Sequence, residues 1–377
     1  MSWIEFNIHD RVAVGVHPDA PTAPQLADML APFGTSGLDR YDLTITAEPE
    51  VFNGVAHGDL DYLYTDESLY VNDTKVQVVR AEDGSFRLHG SRELLVSALP
   101  LIDRIAVEKG AAMIHAATVA YRGRGICMPA WGGVGKTSTM AKLLRRDDAA
   151  FMGDDWAFLT ADGQLLGYEK PMFIKPHHRS IYPHLFDEKR KPMVPSRLSD
   201  PLSRLTTIVH PVVTQYPRLA GMARHWSPEH MMVRPRDAFP DGSFVGRAPL
   251  AAVVFVERVS ASRTVLSERS RDWMASRLVG NFHAELSRHS RELITALGAT
   301  GLVPIDRAFA DKRAVVESGL GEAPTYLLQV PKTLPPDDAS DVIVDRLIEI
   351  AESGSPYGGA GSPSTNGRPP KITSAAT

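Results

Sequence analysis

Apolar and polar residues alternate in short runs through the first hundred positions. YDLTIT (41–46), LDYLYT (60–65), SLYVN (68–72), KVQVVR (75–80) and SFRLHG (85–90) are rich in β-branched and aromatic residues, with turn signals such as VND and EDGS between them. They predict a β-rich segment over residues 1–98. The period then changes. In RELLVSALPLIDRIAVEKG apolar residues recur at helical spacing and stop at Gly110. AAMIHAATVAY and ICMPA follow, joined by RGRG, and predict two buried strands in a hairpin. Further on, LAAVVFVER predicts a buried strand, residues 270–297 a long amphipathic helical stretch, TYLLQV a last strand and DVIVDRLIEIAES a last helix. From Gly354 the chain has too little apolar content to bury, so residues 353–377 read as a disordered tail.

Composition adds limits. The chain has 377 residues, 43% hydrophobic and 23% charged, the balance of an ordinary globular protein large enough for more than one domain. A net charge of −4 gives no global field for nucleic acid or an acidic membrane. Cys127 is the single cysteine, which excludes an internal disulfide and fits a reducing cytoplasm. The N-terminus carries charges where a signal peptide needs an apolar run, and no apolar run approaches the roughly 18 residues of a membrane span. Cytoplasmic localisation is therefore expected.

The hairpin's second strand runs into Ala130-Trp131-Gly132-Gly133-Val134-Gly135-Lys136-Thr137. A phosphate-binding P-loop has the pattern G-x-x-x-x-G-K-[ST] between a strand and a helix, with backbone N–H groups aimed at phosphates. The final Gly-Lys-Thr fits, the helical TSTMAKLLRR follows, and Ala130 replaces the opening glycine. In such a loop the amides of Gly132 to Lys136, with Thr137 and Ser138 opening the helix, hold the phosphates. Lys136 bridges β- and γ-oxygens, and the Thr137 hydroxyl faces Mg²⁺. Eighteen residues past Lys136, a predicted strand over 149–152 ends at Gly153-Asp154-Asp155. Strand, loop, helix and strand form a βαβ unit, which brings both strand ends to one edge of a sheet, where ligands of open α/β sheets bind. Two adjacent carboxylates there can divide labour between metal and proton.

The stretch MIHAATVAYRGRGICMPAWGGVGKTSTMAKLLRRDDAAFMGDDWAFL (113–159) resembles the catalytic domain of HPr kinase/phosphorylase and its phosphoenolpyruvate-carboxykinase-like relatives. The resemblance implies an α/β, PEP-carboxykinase-like P-loop domain over residues 99–352 behind the N-terminal β-rich segment. It also implies Asp154 as general base, Asp155 and Thr137 as supports of the metal, and His115 near the transferring phosphoryl group. On the residues alone, a histidine on an apolar strand reads as a core residue. Glu169, in LLGYEKPMFIKP, is a further candidate for the metal; its alternative is a surface glutamate. The glycine-rich segment that follows the acidic pair in HPr kinases is missing, which argues against HPr itself as substrate.

In its place, residues 175–236 carry eleven Lys or Arg, four Asp or Glu, six His and nine Pro. This proline-stiffened basic stretch is expected to close over the triphosphate or bind an anionic substrate, with Lys175, Arg179 and Arg197 as candidates; its alternative is a solvated cationic face. Three histidines in HHRSIYPH lack a companion cysteine, so zinc is not expected. The expected function is an ATP- and Mg²⁺-dependent kinase acting on a hydroxyl of a peptide, protein or small metabolite, with homo-oligomerisation left open. The alternatives are a regulatory or assembly ATPase without a phosphorylated acceptor, a carboxykinase-type enzyme and a nucleotide sensor.

Overall fold

The computed structural model describes residues 2–47, 49, 53–56, 62–90, 94–174, 178–179, 181–186 and 231–353. Lys175, Arg197, most of the basic stretch and the chain from Gly354 lie outside the described residues.

The N-terminal segment is β-rich, as its alternating pattern predicts. Strands β1 (Ile4–Ile8), β2 (Val12–Val16), β3 (Gly34–Thr35), β4 (Leu43–Thr46), β5 (Val55–Ala56), β6 (Tyr62–Tyr64), β7 (Ser68–Val71), β8 (Val76–Arg80) and β9 (Phe86–Gly90) form one sheet in the order β3-β1-β2-β4-β9-β8-β7-β6-β5. Helix α1 (Ala23–Leu30) buries Leu26 and Leu30 with it. Helix α2 (Leu94–Glu108) straddles residue 98, so the expected domain boundary falls inside a helix. Its Leu101, Ile102 and Ile105 share one core with Val14 and Leu88 of the N-terminal sheet and with Phe282 and Leu293 much later in the chain.

A second, mixed sheet follows. Its strands are β10 (Ala111–Tyr121), β11 (Arg124–Pro129), β12 (Ala149–Gly153), β13 (Trp156–Thr160), β14 (Gln164–Leu166), β17 (Ser243–Phe244), β18 (Arg247–Val259), β19 (Val265–Glu268) and β20 (Thr325–Pro331). Between β14 and β17, strands β15 (Met172–Ile174) and β16 (Met231–Val233) make a separate antiparallel pair. All eleven residues of β10 are buried, which explains its unbroken apolar run: both of its faces are covered. Pairing β10–β13–β14–β18–β11–β10 closes into a circuit.

Two helical layers cover this sheet. Helix α3 (Lys136–Leu143) supplies Met140 and Leu143 to one face. After the short α4 (Pro235–Ala238) come α5 (Arg271–Glu285), α6 (Arg288–Ala299), α7 (Ile305–Leu320) and α8 (Pro336–Ser353). Helix α8 adds Ile343 and Leu347 on the α3 side, against Ile126, Met128, Val254 and Val256. On the other face α5 and α7 pack Met274, Leu278, Val316 and Leu320 against Cys127, Val253 and Phe255. Alternate residues of β11 and β18 thus serve opposite layers, the period-two signature of a strand buried on both sides. No described helix is long and apolar enough to cross a membrane.

Strands β11 and β12 run parallel through α3, but they are not neighbours. Each pairs antiparallel with β10, which lies between them. The pairings Ala116–Pro129 and Thr118–Gly153 bring both C-terminal ends to the same edge of the sheet.

Candidate active site

The glycine loop leaves β11 at Pro129, and Ala130 still bridges to Val256 of β18. The chain enters α3 through Gly135, whose φ of 107° lies where an L side chain is strained. Gly133 is also left-handed, with φ 79°. Lys136 folds back along the loop, and its buried Nζ donates to the Ala130 carbonyl at 2.7 Å. Burial lowers the ammonium's affinity for its proton, opposed by the charges of Asp155, Asp154 and Glu285. Val134 packs into the core and Trp131 faces outward, its ring against Phe255 and beneath the Arg277 guanidinium. The Gly132 amide donates to Glu285 Oε1 at 3.2 Å.

The acidic pair interrupts what is otherwise one long strand. The register against β10 slips by one residue within β12, between Phe151 and Gly153; β13 then continues the register of Gly153, and Ala116 N donates to Asp155 O within the gap. Trp156 N donates to Asp154 O at 3.0 Å across Asp155, whose φ is 69°. That is a γ-turn with positive φ, a strained form that costs on the order of 1–3 kcal/mol at a non-glycine residue. The turn at Asp155 points the two carboxylates in different directions. Gly153 is required next to it: a Cβ there would meet the Trp156 carbonyl at 2.9 Å.

Asp154 turns toward the loop. Its Oδ2 accepts from Thr137 Oγ1 at 3.2 Å, and its Oδ1 is buried without a hydrogen-bond partner. Burial, then the neighbouring Asp155 charge, push its carboxyl up to about 6, against the pull of Lys170 and Lys136. Asp155 faces the other way, with Oδ2 3.1 Å from Lys170 Nζ and Oδ1 3.7 Å from His115 Nε2. Burial alone would raise the Asp155 carboxyl; His115 and the ammonium groups of Lys170 and Lys136 outweigh it and hold the group below the usual carboxylate range. Two adjacent carboxylates therefore carry unlike proton affinities, the pattern that separates an acid–base group from a fixed charge. Tyr182 lies within electrostatic reach of Asp154, and its buried hydroxyl has no hydrogen-bond partner among the described residues.

The structure thus brings together Lys136, Thr137, Asp154, Asp155 and His115. It joins Thr137 to Asp154, whereas the expected pairing put Thr137 with Asp155 on the metal. Glu169 stands apart: its recorded contact is an ion pair with Arg236 at 3.1 Å, while its neighbour Lys170, 2% exposed, reaches Asp155. Arg179 stacks on Phe186, 5.3 Å from the ring centre. Two residues absent from the sequence reading complete the arrangement. One is Lys170, in an irregular stretch between β14 and β15 where no periodicity marks an inward position. The other is Asn281, whose Nδ2 lies 3.3 Å from His115 Nδ1 and donates to the His115 carbonyl at 2.9 Å. This network assigns the ring proton to Nε2, facing Asp155. Asn281 did leave a signal: it stands seven residues past Met274, on the apolar stripe of α5.

Among the described residues no group of three or more His, Cys, Asp or Glu side chains is arranged to hold a metal ion by itself. No protein-family model matches the chain, and the search of curated proteins found no match.

Proposed function

We propose that the chain is a magnesium- and ATP-dependent phosphotransferase that moves the γ-phosphoryl group to a hydroxyl acceptor on a peptide, a protein or a small metabolite. The observation that carries this reading is the 3.2 Å contact of Thr137 with Asp154. It joins the first turn of the helix behind the glycine loop to the acidic end of a separate strand, so phosphate-binding amides and a proton-accepting carboxylate serve one small volume. The resemblance of residues 113–159 to HPr kinase/phosphorylase catalytic domains supports the same reading.

The partnerless Asp154 Oδ1 and the Thr137 hydroxyl fit a hard cation that keeps most of its waters and takes further oxygens from phosphate. When bound, such an ion spreads the charge that develops between the β- and γ-oxygens. The residues of the chain do the rest. The loop amides and Lys136 hold the phosphates. Asp154 takes the proton from the acceptor hydroxyl as its oxygen bonds to the γ-phosphorus and the bond to the β-phosphate oxygen breaks, releasing ADP. The raised Asp154 carboxyl suits a base working near neutral pH. Asp155, fixed by Lys170 and His115, keeps a negative charge that anchors the turn.

Incubation with γ-labelled ATP and a cell extract or candidate peptides tests the proposal, with mass identification of the labelled species. Lys136→Ala is expected to weaken nucleotide binding about 10- to 100-fold, the worth of a charge-assisted hydrogen bond, and transfer with it. Hydrolysis without any labelled acceptor, together with nucleotide-dependent partner binding, would instead favour a regulatory or assembly ATPase. Calorimetry with no magnesium-dependent nucleotide binding would end both readings.

A further inference from the structure

Glu285 is the last residue of α5, an awkward place for a carboxylate. The carbonyls at a helix C-terminus carry partial negative charge and disfavour an anion. The side chain instead crosses to the glycine loop, where its Oε1 accepts from the Gly132 amide at 3.2 Å. Its charge also acts on Lys136. Two of the loop's anion-binding groups are thereby capped by the protein's own oxygens, Gly132 N by Glu285 and Lys136 Nζ by the Ala130 carbonyl.

The position along the loop matters. A lysine at the Lys136 place in this motif contacts the β- and γ-phosphates. Its Nζ lies 2.7 Å from Ala130 O, so the β/γ end of a bound triphosphate belongs at the strand end of the loop, beside Gly132. The phosphates nearer the nucleoside belong at the other end, on the first amides of α3. A diphosphate held there leaves the Gly132 amide to Glu285. A triphosphate brings a terminal group of like charge against that carboxylate.

We propose that Glu285 is a specificity-determining residue that senses the terminal phosphate: its carboxylate stands in for the γ-phosphate on the Gly132 amide and must leave when a triphosphate binds. This rests on the nucleotide-binding reading above and deepens it. Displacement has a path to the chemistry, because Asn281, one turn earlier on α5, holds His115. A shift of the last turn of α5 would therefore reset the imidazole that faces Asp155.

Calorimetric titration of the full chain and of Glu285→Gln with Mg-ATP and Mg-ADP tests this. Removing the negative charge while keeping the side chain's size is expected to tighten Mg-ATP binding about tenfold and to change Mg-ADP binding by less than about twofold, since only the triphosphate meets the carboxylate. Hydrogen exchange supplies a second reading on the unaltered chain: ATP, and not ADP, should speed exchange at residues 282–285. Equal changes for both nucleotides, no change, or weaker ATP binding by the variant would overturn the assignment. If neither the unaltered chain nor Glu285→Gln binds any nucleotide, the phosphotransferase reading falls as well, an outcome distinct from equal effects on two nucleotides that do bind.

Discussion

Asp154→Asn is expected to lower the transfer rate by about 10²- to 10⁴-fold, the range of a lost general base, while nucleotide affinity measured without magnesium, which rests on the loop amides and Lys136, stays within about twofold. The amide keeps the shape and can still accept from Thr137, but it cannot take a proton. Measurement separates the two effects, with single-turnover transfer on one side and equilibrium titration on the other. Equal transfer rates would remove Asp154 from the base role. In the unaltered chain the same carboxyl sets the acid limb of kcat/KM, which reads the free enzyme: it should rise with pH through about 6 and level off above it. Stability runs the opposite way. The native carboxyl holds its proton up to about 6, against 3.8 for an ordinary aspartate. Its stabilising contribution is therefore complete below the lower value and is lost as pH climbs through the upper one, a swing of about 3 kcal/mol. Asp154→Asn should accordingly raise the melting temperature at pH 8 and leave it little changed at pH 4. Catalytic need and fold stability conflict at this one side chain, as is usual where a site keeps a charge in a dry place.

Asp103→Ala should cost about 3–5 kcal/mol of folding stability, the usual penalty for stripping one partner from a buried ion pair. Lys312 Nζ sits 2.7 Å from Asp103 Oδ2, and both side chains are nearly enclosed between α2 and α7. Asp103 Oδ1 also accepts from Met113 N, so the carboxylate ties α2 to the first residues of β10. Burial lowers the Lys312 ammonium to about 8, with Asp103 resisting. A lysine that holds its proton less tightly when folded makes stability rise as pH passes from about 8 toward 10.5. The double variant Asp103→Asn with Lys312→Met should recover most of the single-variant loss, because no unpaired charge remains. Urea titrations of the unaltered chain and the two variants give the comparison, and a double variant no better than Asp103→Ala would refute the charge argument.

How far pattern alone reaches is clear from particular elements. The run AAMIHAATVAY occupies β10 residue for residue, because a strand covered on both faces must be apolar throughout. The five runs between residues 41 and 90 each contain a strand of the first sheet. By contrast, the stretch 270–297 reads as one amphipathic helix but forms two. Leu286 turns extended at ψ 149°, and Ser287 caps α6 by accepting from Ser290 N. Serine is a weak break signal in sequence and a strong cap once the chain has turned. The site shows the same division. Lys136, Thr137 and the aspartates are close in sequence or announced by a motif. Lys170 and Asn281 come from an irregular connection and a distant helix, and only the packing of α5 on β10 brings Asn281 to His115.

The strand interposed between the loop and the carboxylates has one more consequence. Two inter-strand steps of about 4.8 Å part β11 from β12; β10 fills that gap, and its His115 stands one residue beyond the last pair with β11, opposite Trp156 of β13. Side chains on a strand alternate, so an insertion or deletion of one residue between Ala111 and His115 would send the imidazole into the opposite helical layer. It would also exchange the sides of Met113 and Ile114, which serve different cores. The spacing of β10 is therefore under a double constraint: a frameshift of one position there would unseat the core and disarm the site together.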